Sequence, residues 1–130
     1  AVKEYRSKKR TKTKEIASFI TVGSLCHRKR VLETIDLFFK IFEKGGEFKL
    51  TIVGDGPLKE KIETKLIYMP KDFSARIELT GFLENPIPRI IESDVFFMNS
   101  TCEGFSRALL EACFLKKGIF YIIFIMLNKI

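Results

Sequence analysis

The chain has no tryptophan, a single histidine and only three cysteines among its 130 residues. Cys26, Cys102 and Cys113 are odd in number and show neither close pairing nor a zinc-ligand pattern, so neither a disulfide framework nor a metal site is expected. Because His27 is the sole histidine and is interpreted as an exposed residue, a cysteine nucleophile is not expected either. No signal peptide is recognisable, and we therefore expect free thiols and a cytoplasmic setting.

The main part of the chain carries no net positive charge. Residues 1–30 hold ten Lys or Arg against two acids, whereas residues 31–130 hold 13 against 14. Residues 1–14 lack apolar periodicity and are predicted to be a basic linker or solvated tail. Such a cluster can contact anionic lipid, and peripheral contact with the inner face of the cell membrane stays open. No RNA-binding aromatic motif is present, so nucleic-acid binding is not expected.

No apolar run is long enough to cross a bilayer as a helix. The longest, residues 119–127, spans nine positions, which suits one buried strand. The sequence ends three residues later, without the helix that normally covers such a strand in a parallel sheet. We therefore expect residues 15–130 to be one domain that is incomplete at its C-terminus.

What the sequence does contain is a regular alternation of apolar runs and helical patterns. Strands are predicted at residues 16–22, 48–53, 76–80 and 94–99, with helices between them and after the last. Glycines follow or interrupt these runs, as at Gly23 and Gly81. The alternation predicts an α/β fold, a single Rossmann-like, doubly wound parallel sheet.

Two glutamates eight positions apart indicate a ligand site. Glu103 precedes a glycine turn after the fourth predicted strand, and Glu111 lies in the apolar helix that follows. A carboxylate accepts hydrogen bonds from both hydroxyls of a cis-diol such as ribose, and the N–H groups that begin this helix suit a phosphate, so together they fit a nucleotide. The alternative makes Glu111 a solvated edge residue and Glu103 a favourable charge near a helix N-terminus. The local pattern leaves both readings open.

The turn after the first strand is a second candidate. Gly23 is followed by three cations at residues 28–30, at the predicted start of a helix, where positive charge is unfavourable. Because the first and fourth strands of a doubly wound sheet are commonly neighbours, this turn and the Glu103 turn are predicted to line one crevice. A diphosphate would then lie between Lys29 and the helix that begins at Ser106. The alternative is a solvated charge run.

The turn at residues 54–57 reads Gly-Asp-Gly-Pro. It resembles part of a dinucleotide-binding fingerprint, but it lacks the third glycine and follows the second strand instead of the first. We interpret its two glycines mainly as a tight strand-to-helix turn.

Several short motifs, taken in order, resemble the C-terminal, donor-binding domain of the family 4 (group 1) glycosyltransferases, which have the two-domain GT-B architecture. The resemblance runs from about Phe19 to Ala112. Its motifs are Val-Gly-Ser-Leu at 22–25 with Lys29, Ile-Val-Gly-Asp-Gly-Pro at 52–57, Leu-Thr-Gly-Phe at 79–82, Ser-Asp-Val at 93–95, and Ser-Thr-Cys-Glu-Gly-Phe at 100–105 leading to Glu-Ala at 111–112. The resemblance implies a nucleotide-diphosphate-sugar donor, retaining sugar transfer in polysaccharide or glycolipid synthesis, and no cofactor or obligatory metal.

The resemblance also implies roles for individual residues. Glu111 resembles the glutamate that holds the ribose hydroxyls, Glu103 the catalytic residue that faces the donor sugar, and Lys29 the cation that neutralises the diphosphate. The other implied donor-binding positions form the phosphate cradle and the loop beside the base: Gly23, Ser24, Gly104, Phe105, Ser106, Gly81 and Phe82.

The sequence departs from the family pattern at several points. Ser24 stands where many members carry an arginine that shares the diphosphate, and both Arg30 and Ser106 stand at common glycine positions. Residues 116–120 lack the proline of the next family strand, and the acceptor-binding domain is not in the sequence. We expect a donor-binding fragment, inactive alone, that needs the missing domain in cis or in trans. The alternatives are a non-catalytic nucleotide-sugar-binding module that works with a separate acceptor-domain chain, and a non-functional truncated product.

Overall fold

The computed structural model describes residues 16–97 and the backbone of residues 118 and 119. Its strands are β1 (Ala17–Val22), β2 (Phe48–Val53), β3 (Ile77–Gly81), β4 (Val95–Phe96) and β5 (Gly118–Ile119). Its helices are α1 (Val31–Glu43), α2 (Lys59–Ile67), α3 (Lys71–Ser74) and α4 (Ile87–Glu92), and a 3-10 turn covers His27–Lys29. Within this part of the chain, no helix has the length and hydrophobicity that crossing a membrane requires.

The strands form one parallel sheet in the order β3-β2-β1-β4-β5. This confirms the predicted fold class. The predicted neighbours β1 and β4 are paired, with Phe19 opposite Val95 and Ile20 opposite Phe96. The chain adds strands in one direction up to β3 and then returns to the other side of β1. The carboxyl end of β1 therefore lies at the point where the strand order reverses, which is where open α/β sheets bind ligands.

Helices cover both faces of the sheet. Right-handed connections place α1 and α2 on one face, and the return from β3 to β4 places α4 on the other. Two apolar clusters match this arrangement. The adjacent residues Ile52 and Val53 point to opposite faces and belong to different clusters. The buried members of the first cluster are Leu25, Val31, Ile35, Phe38, Phe48, Leu50, Ile52, Leu58, Ile62, Phe73 and Phe97, and those of the second are Ile20, Val53, Ile90 and Phe96.

Phenylalanines join α1 to the sheet. The ring centroid of Phe38, on α1, lies 5.2 Å from that of Phe19 on β1 and 5.0 Å from that of Phe48 on β2. It also lies 5.6 Å from the ring of Phe97, where the chain leaves β4. Edge-on and tilted contacts at these distances suit aromatic pairs. A single ring thus packs α1 against β1, β2 and the residue that follows β4.

Asp94 joins β4 to β1 at the amino end of the sheet. Its Oδ2 accepts the backbone N–H of Ser18 at 2.8 Å and the Ser18 hydroxyl at 3.1 Å. The backbone N–H of Asp94 in turn lies 2.9 Å from the Ser18 carbonyl oxygen. The Ser-Asp-Val motif of the family resemblance therefore has a structural role in this chain, at the edge opposite the candidate site.

We expect Asp94→Ala to lower the free energy of unfolding by about 1–3 kcal/mol, because it leaves the Ser18 N–H without its carboxylate acceptor. Urea denaturation at pH 7 measures the loss. Asp94→Asn keeps an acceptor oxygen at the same position and should lose less. Equal midpoints for Asp94→Ala and the wild type would contradict this role.

The predicted element boundaries differ from the structure in a few places. Strand β2 spans the predicted residues 48–53, whereas β3 begins and ends one residue after its predicted bounds of 76 and 80. The single-turn helix α3 was not predicted, because Phe73 is its only buried residue and one position gives no periodicity. Residues 1–14, the Glu103 to Glu111 region and most of the predicted last strand lie outside the described residues.

Candidate functional site

Each of three adjacent strands has a glycine at or directly after its carboxyl end. Gly23 follows β1, Gly54 follows β2, and Gly81 is the last residue of β3. The N–H of Gly23 donates to the Val53 carbonyl at 3.0 Å, and the N–H of Gly54 donates to the Gly81 carbonyl at 2.9 Å. We call this row of glycines the carboxyl edge. Of the three glycines, Gly81 has open space among the described residues where a side chain would stand, whereas that space is taken by the Gly23 carbonyl at Gly54 and bordered by the Lys29 side chain at Gly23.

A hollow that is open to solvent lies at the carboxyl edge beside β1. Three predicted donor-binding residues, Gly23, Ser24 and Lys29, line it together. Its other lining residues come from β1, the loop after β1, the start of α1 and β2, and they are Thr21, Val22, Leu25, Val31, Ile52 and Val53. The structure thus brings together the residues that the sequence proposed for the diphosphate on the β1 side.

The Lys29 side chain lies over Gly23. A Cβ placed on Gly23 would be 3.4 Å from Lys29 Cε and 3.8 Å from Lys29 Nζ. The ammonium group is therefore held at the end of β1 instead of extending into solvent, and the residue is half-buried. Ser24, the next residue along, is exposed.

The Cys26 thiol shows that this loop favours negative charge. Partial burial acts to raise its pKa, but hydrogen bonds from the Lys29 backbone, the Ser24 side chain and the Arg28 backbone, together with the Arg28 charge, lower the pKa overall. Donors and positive charge that stabilise a thiolate also stabilise phosphate oxygens. Cys26 is the one cysteine among the described residues and has no disulfide partner there, and Cys102 and Cys113 lie outside them.

The three cations of residues 28–30 do not lie at the start of α1 in the way the sequence suggested. Arg28 and Lys29 form a separate 3-10 turn with His27, and Arg30 caps α1 with a left-handed backbone, φ 51° and ψ 46°. This left-handed residue ends the turn, so α1 begins only at Val31. His27 is exposed, as predicted. Glycine, which the family resemblance implies at this position, adopts such a conformation without strain.

Arg30→Gly should therefore stabilise the domain, by roughly 1 kcal/mol, because a left-handed conformation costs a non-glycine residue about 1–2 kcal/mol. The substitution also removes the buried Arg30 Nε, which has no hydrogen-bond partner in the described part of the chain. Thermal unfolding measures the gain. Arg30→Ala removes the guanidinium but keeps the strained backbone, so it separates the two effects. A lower unfolding temperature for Arg30→Gly than for Arg30→Ala would contradict the backbone argument.

Gly81 and Phe82 lie at the same edge but two strands away from β1, at a distance of roughly 10 Å. Gly81 has φ 81°, and a Cβ placed there would have no described neighbour within 4 Å. Phe82 follows with 73% of its surface exposed. An exposed aromatic ring beside open backbone provides a flat apolar surface, and the structure keeps it separate from the Lys29 hollow.

The remaining predicted site residues, Glu103, residues 104–106 and Glu111, lie outside the described residues. The described chain leaves β4 at Phe97, whose N–H donates to the Ile20 carbonyl at 2.8 Å, beside β1. Among the residues that the structure describes, no group of three His, Cys, Asp or Glu side chains is arranged to hold a metal ion.

Sequence reasoning missed how the loop after β2 supports the loop after β1. The Leu25 N–H donates to the Asp55 carbonyl, and the Leu58 N–H donates to the Leu25 carbonyl, both at 3.0 Å. The available signal is the Gly-x-Gly spacing of residues 54–56, which by itself indicates mainly a tight strand-to-helix turn.

Comparison with known proteins identifies the family. The family model described as glycosyl transferases group 1 matches residues 17–119. The chain belongs to the group 1 glycosyltransferases. This confirms the resemblance that the motifs predicted, and the solved structures that it matches include glycosyltransferases of the GT-B class.

Individual relatives agree with the family. The chain is 31% identical over 94 residues to an uncharacterized glycosyltransferase of Methanocaldococcus jannaschii, covering 72% of this chain and 23% of that protein. It is 27% identical to the lipopolysaccharide outer core galactosyltransferase WaaB, with a TM-score of 0.69 over 81% of this chain and 30% of WaaB. S. aureus TarM, solved with UDP, has the same fold at 19% identity and a TM-score of 0.71, over 85% of this chain and 22% of TarM. The chain thus spans less than a third of the length of these glycosyltransferases.

Proposed function

We propose that this chain is the donor-binding part of a retaining glycosyltransferase that uses a nucleotide-diphosphate sugar in polysaccharide or glycolipid synthesis. The observation that carries the proposal is the Lys29 ammonium group held over Gly23 at the carboxyl end of β1, next to the strand-order reversal. Family membership supports the sugar-transfer chemistry. UDP is the first nucleotide to test, because TarM was solved in complex with it.

The diphosphate is proposed to lie in the hollow beside Lys29. A charged ammonium and backbone N–H groups are suitable partners for phosphate oxygens, and the loop already lowers the pKa of Cys26. Ser24, whose hydroxyl is small, stands where many relatives have an arginine, so Lys29 carries the larger share of the charge here. The Gly104 to Ser106 turn completes the cradle from the other side.

The nucleoside is proposed to extend along the carboxyl edge away from the hollow. Glu111 holds the two ribose hydroxyls with its carboxylate, and Phe82, exposed after Gly81, lies beside the base. A nucleoside and a diphosphate would then bridge β3 and β1, whose separation of roughly 10 Å follows from two strand spacings.

In the proposed reaction, the bond between the anomeric carbon and the diphosphate breaks, and the acceptor hydroxyl forms a new bond on the same face of the sugar. Lys29 stabilises the negative charge that develops on the departing diphosphate, and Glu103 faces the donor sugar as the catalytic residue. The acceptor proton leaves with the diphosphate or to solvent. No cofactor and no obligatory metal takes part.

The chain supplies only one wall of the active-site cleft. The acceptor-binding domain, in cis or on a separate chain, is proposed to supply the other wall, so residues 15–130 bind donor but do not turn over alone. The basic residues 1–14 are proposed as a linker that can contact an anionic membrane surface, and nucleic acid is not a proposed ligand.

Calorimetric titration of the chain with UDP, GDP and ADP tests the proposal, with Glu111→Ala in parallel. Loss of two charge-assisted hydrogen bonds should cost roughly 3–6 kcal/mol at most, which corresponds to a loss of affinity of about a hundredfold or more. Glu47→Ala is the matched control, because Glu47 is exposed and precedes β2 at the opposite edge. A folded chain that binds no nucleotide, or a Glu111→Ala variant that binds like the wild type, would contradict the proposed site.

A turnover assay tests the fragment proposal separately. The 130-residue chain, given donor sugars and simple acceptors, should release no more nucleotide than a blank. Sugar transfer that disappears in Glu111→Ala would show that the chain is a complete enzyme. Co-purification with an acceptor-domain chain would support the two-chain alternative.

A further inference from the structure

The loops after β1 and β2 continue the parallel pairing of these strands beyond their ends. Val22 pairs with Val53 in the last register position of the sheet. The Gly23 N–H then donates to the Val53 carbonyl and the Leu25 N–H to the Asp55 carbonyl, each at 3.0 Å. Alternate residues after β1 therefore continue the hydrogen-bond pattern of the two strands. The Leu58 N–H donates back to the Leu25 carbonyl at 3.0 Å. We name residues 23–26 the first loop and residues 54–58 the second loop.

The second loop is in contact with the backbone of the first at both of its glycines. A Cβ placed on Gly54 would lie 1.8 Å from the Gly23 carbonyl oxygen, and one on Gly56 would lie 2.6 Å from the Leu25 carbonyl oxygen and 2.7 Å from the Leu25 nitrogen. In both cases the obstructing atoms belong to backbone, which cannot rotate away as a side chain can. Any side chain at position 54 or 56 must therefore displace the first loop.

Displacement of the first loop would change the Lys29 hollow. Leu25 is 3% exposed and anchors the loop in the core, while its neighbour Ser24 is exposed toward the hollow. The Lys29 N–H donates to the Cys26 carbonyl at 3.1 Å, so the turn that carries Lys29 begins directly at the end of the first loop. A shift of Leu25 is thus transmitted to Ser24 on one side and to Lys29 on the other.

We infer that Gly54 and Gly56 are positioning residues for the donor diphosphate, acting through the first loop and Lys29. The ligand part of this inference rests on the proposed function, whereas the placement of the loop can be measured without any ligand. The Gly-Asp-Gly-Pro turn is then part of the binding machinery although it does not touch the nucleotide.

The test uses the isotope-labelled 130-residue chain and the variant Gly56→Ala, with Gly45→Ala as the matched control. Gly45 has φ 87°, and a Cβ placed on it has no described neighbour within 4 Å, so this control adds the same methyl group without touching the first loop. Amide NMR spectra are recorded first without ligand and then during a UDP titration. All spectra are recorded at a temperature at which circular dichroism shows that Gly56→Ala and Gly45→Ala are folded.

In Gly56→Ala we expect the amide signals of Ser24, Leu25 and Lys29 to shift and the affinity for UDP to fall at least tenfold. In Gly45→Ala these signals stay in place and the affinity changes less than twofold. Unmoved signals in Gly56→Ala, or moved signals with unchanged affinity, would overturn the inference. If the wild type binds no nucleotide, the proposed function fails. The ligand-free spectra still decide whether the residue at position 56 determines the position of the first loop.

Hydrogen exchange of the wild-type chain provides a second measurement that does not depend on a variant folding. The N–H groups of Leu25 and Leu58 should exchange as slowly as those inside β1 and β2. Exchange at the rate of an open loop would show that the two loops are not held together, and the inference would be wrong.

Discussion

Gly54→Ala is expected to destabilise the domain by roughly 3 kcal/mol or more, which lowers the unfolding temperature by about 10 °C or more in a domain of this size. The added Cβ would meet the Gly23 carbonyl oxygen at 1.8 Å, and the backbone has φ 145°, which L side chains rarely adopt. The clash is relieved only if β1 and β2 separate at their carboxyl ends, which breaks the hydrogen bond between the Gly23 N–H and the Val53 carbonyl. Thermal unfolding followed by circular dichroism measures the loss.

Gly45→Ala is the control for this effect. It adds the same methyl group at φ 87°, with no described neighbour within 4 Å, so backbone strain alone should cost about 1 kcal/mol. The difference between the two variants isolates the close approach of the loops. If the unfolding temperatures of Gly54→Ala and Gly45→Ala differ by no more than 2–3 °C, their free energies of unfolding differ by less than about 1 kcal/mol. That result would show that the loops after β1 and β2 can separate at little cost.

The second large effect concerns ligand binding. Lys29→Ala should weaken UDP binding by about 1.5–3 kcal/mol, roughly ten- to a hundredfold, because hydrogen bonds to charged groups contribute this much. The wild-type affinity should also fall as salt is raised from 50 to 300 mM, and the variant should show a weaker salt dependence. Isothermal calorimetry at several salt concentrations measures both.

Lys44→Ala is the matched control for Lys29→Ala. Lys44 is exposed at the C-terminal cap of α1, which lies toward the opposite edge of the sheet, so it carries the same charge far from the hollow. Its removal should change the affinity less than twofold. Equal losses in the two variants would mean that only the net charge of the chain attracts the nucleotide.

Residue pattern alone predicted most of the fold. The run that begins at Phe48 alternates buried and less buried residues as far as Ile52, and β2 has the predicted bounds 48–53. The prediction that β1 and β4 are neighbours followed from topology rules and is confirmed by the pairing of Ile20 with Phe96. These features depend on local periodicity and on the handedness of connections, both of which are visible in a sequence.

Contacts between distant segments could not be predicted in the same way. The spacing of Gly54 and Gly56 indicates a turn, but only the fold shows that they meet the backbone of Gly23 and Leu25. Similarly, Asp94 accepts hydrogen bonds from a residue 76 positions earlier in the chain. Arg30 has a helix-compatible side chain, and nothing in its identity reveals a left-handed backbone.

At the candidate site, the sequence predicted the residue types and the structure supplied their arrangement. The grouping of Gly23, Ser24 and Lys29 around one hollow was predicted from the cations that follow the first strand and from the family resemblance. The separate 3-10 turn that contains Arg28 and Lys29 was not predicted. It ends at Arg30 because of the left-handed backbone conformation of that residue, which the sequence does not reveal. The roles of Glu103 and Glu111 stay predictions.

The most direct measurement of the central claim is a UDP titration of the labelled chain followed through its backbone amide signals. Binding at the carboxyl edge predicts saturable shifts at Gly23, Ser24 and Lys29, with smaller shifts at Gly81 and Phe82. Signals at the opposite edge, such as those of residues 44–47 and of Ser18 and Asp94, should stay in place. Shifts confined to that opposite edge, or no saturable shift from a folded chain, would contradict a donor-nucleotide site at the end of β1.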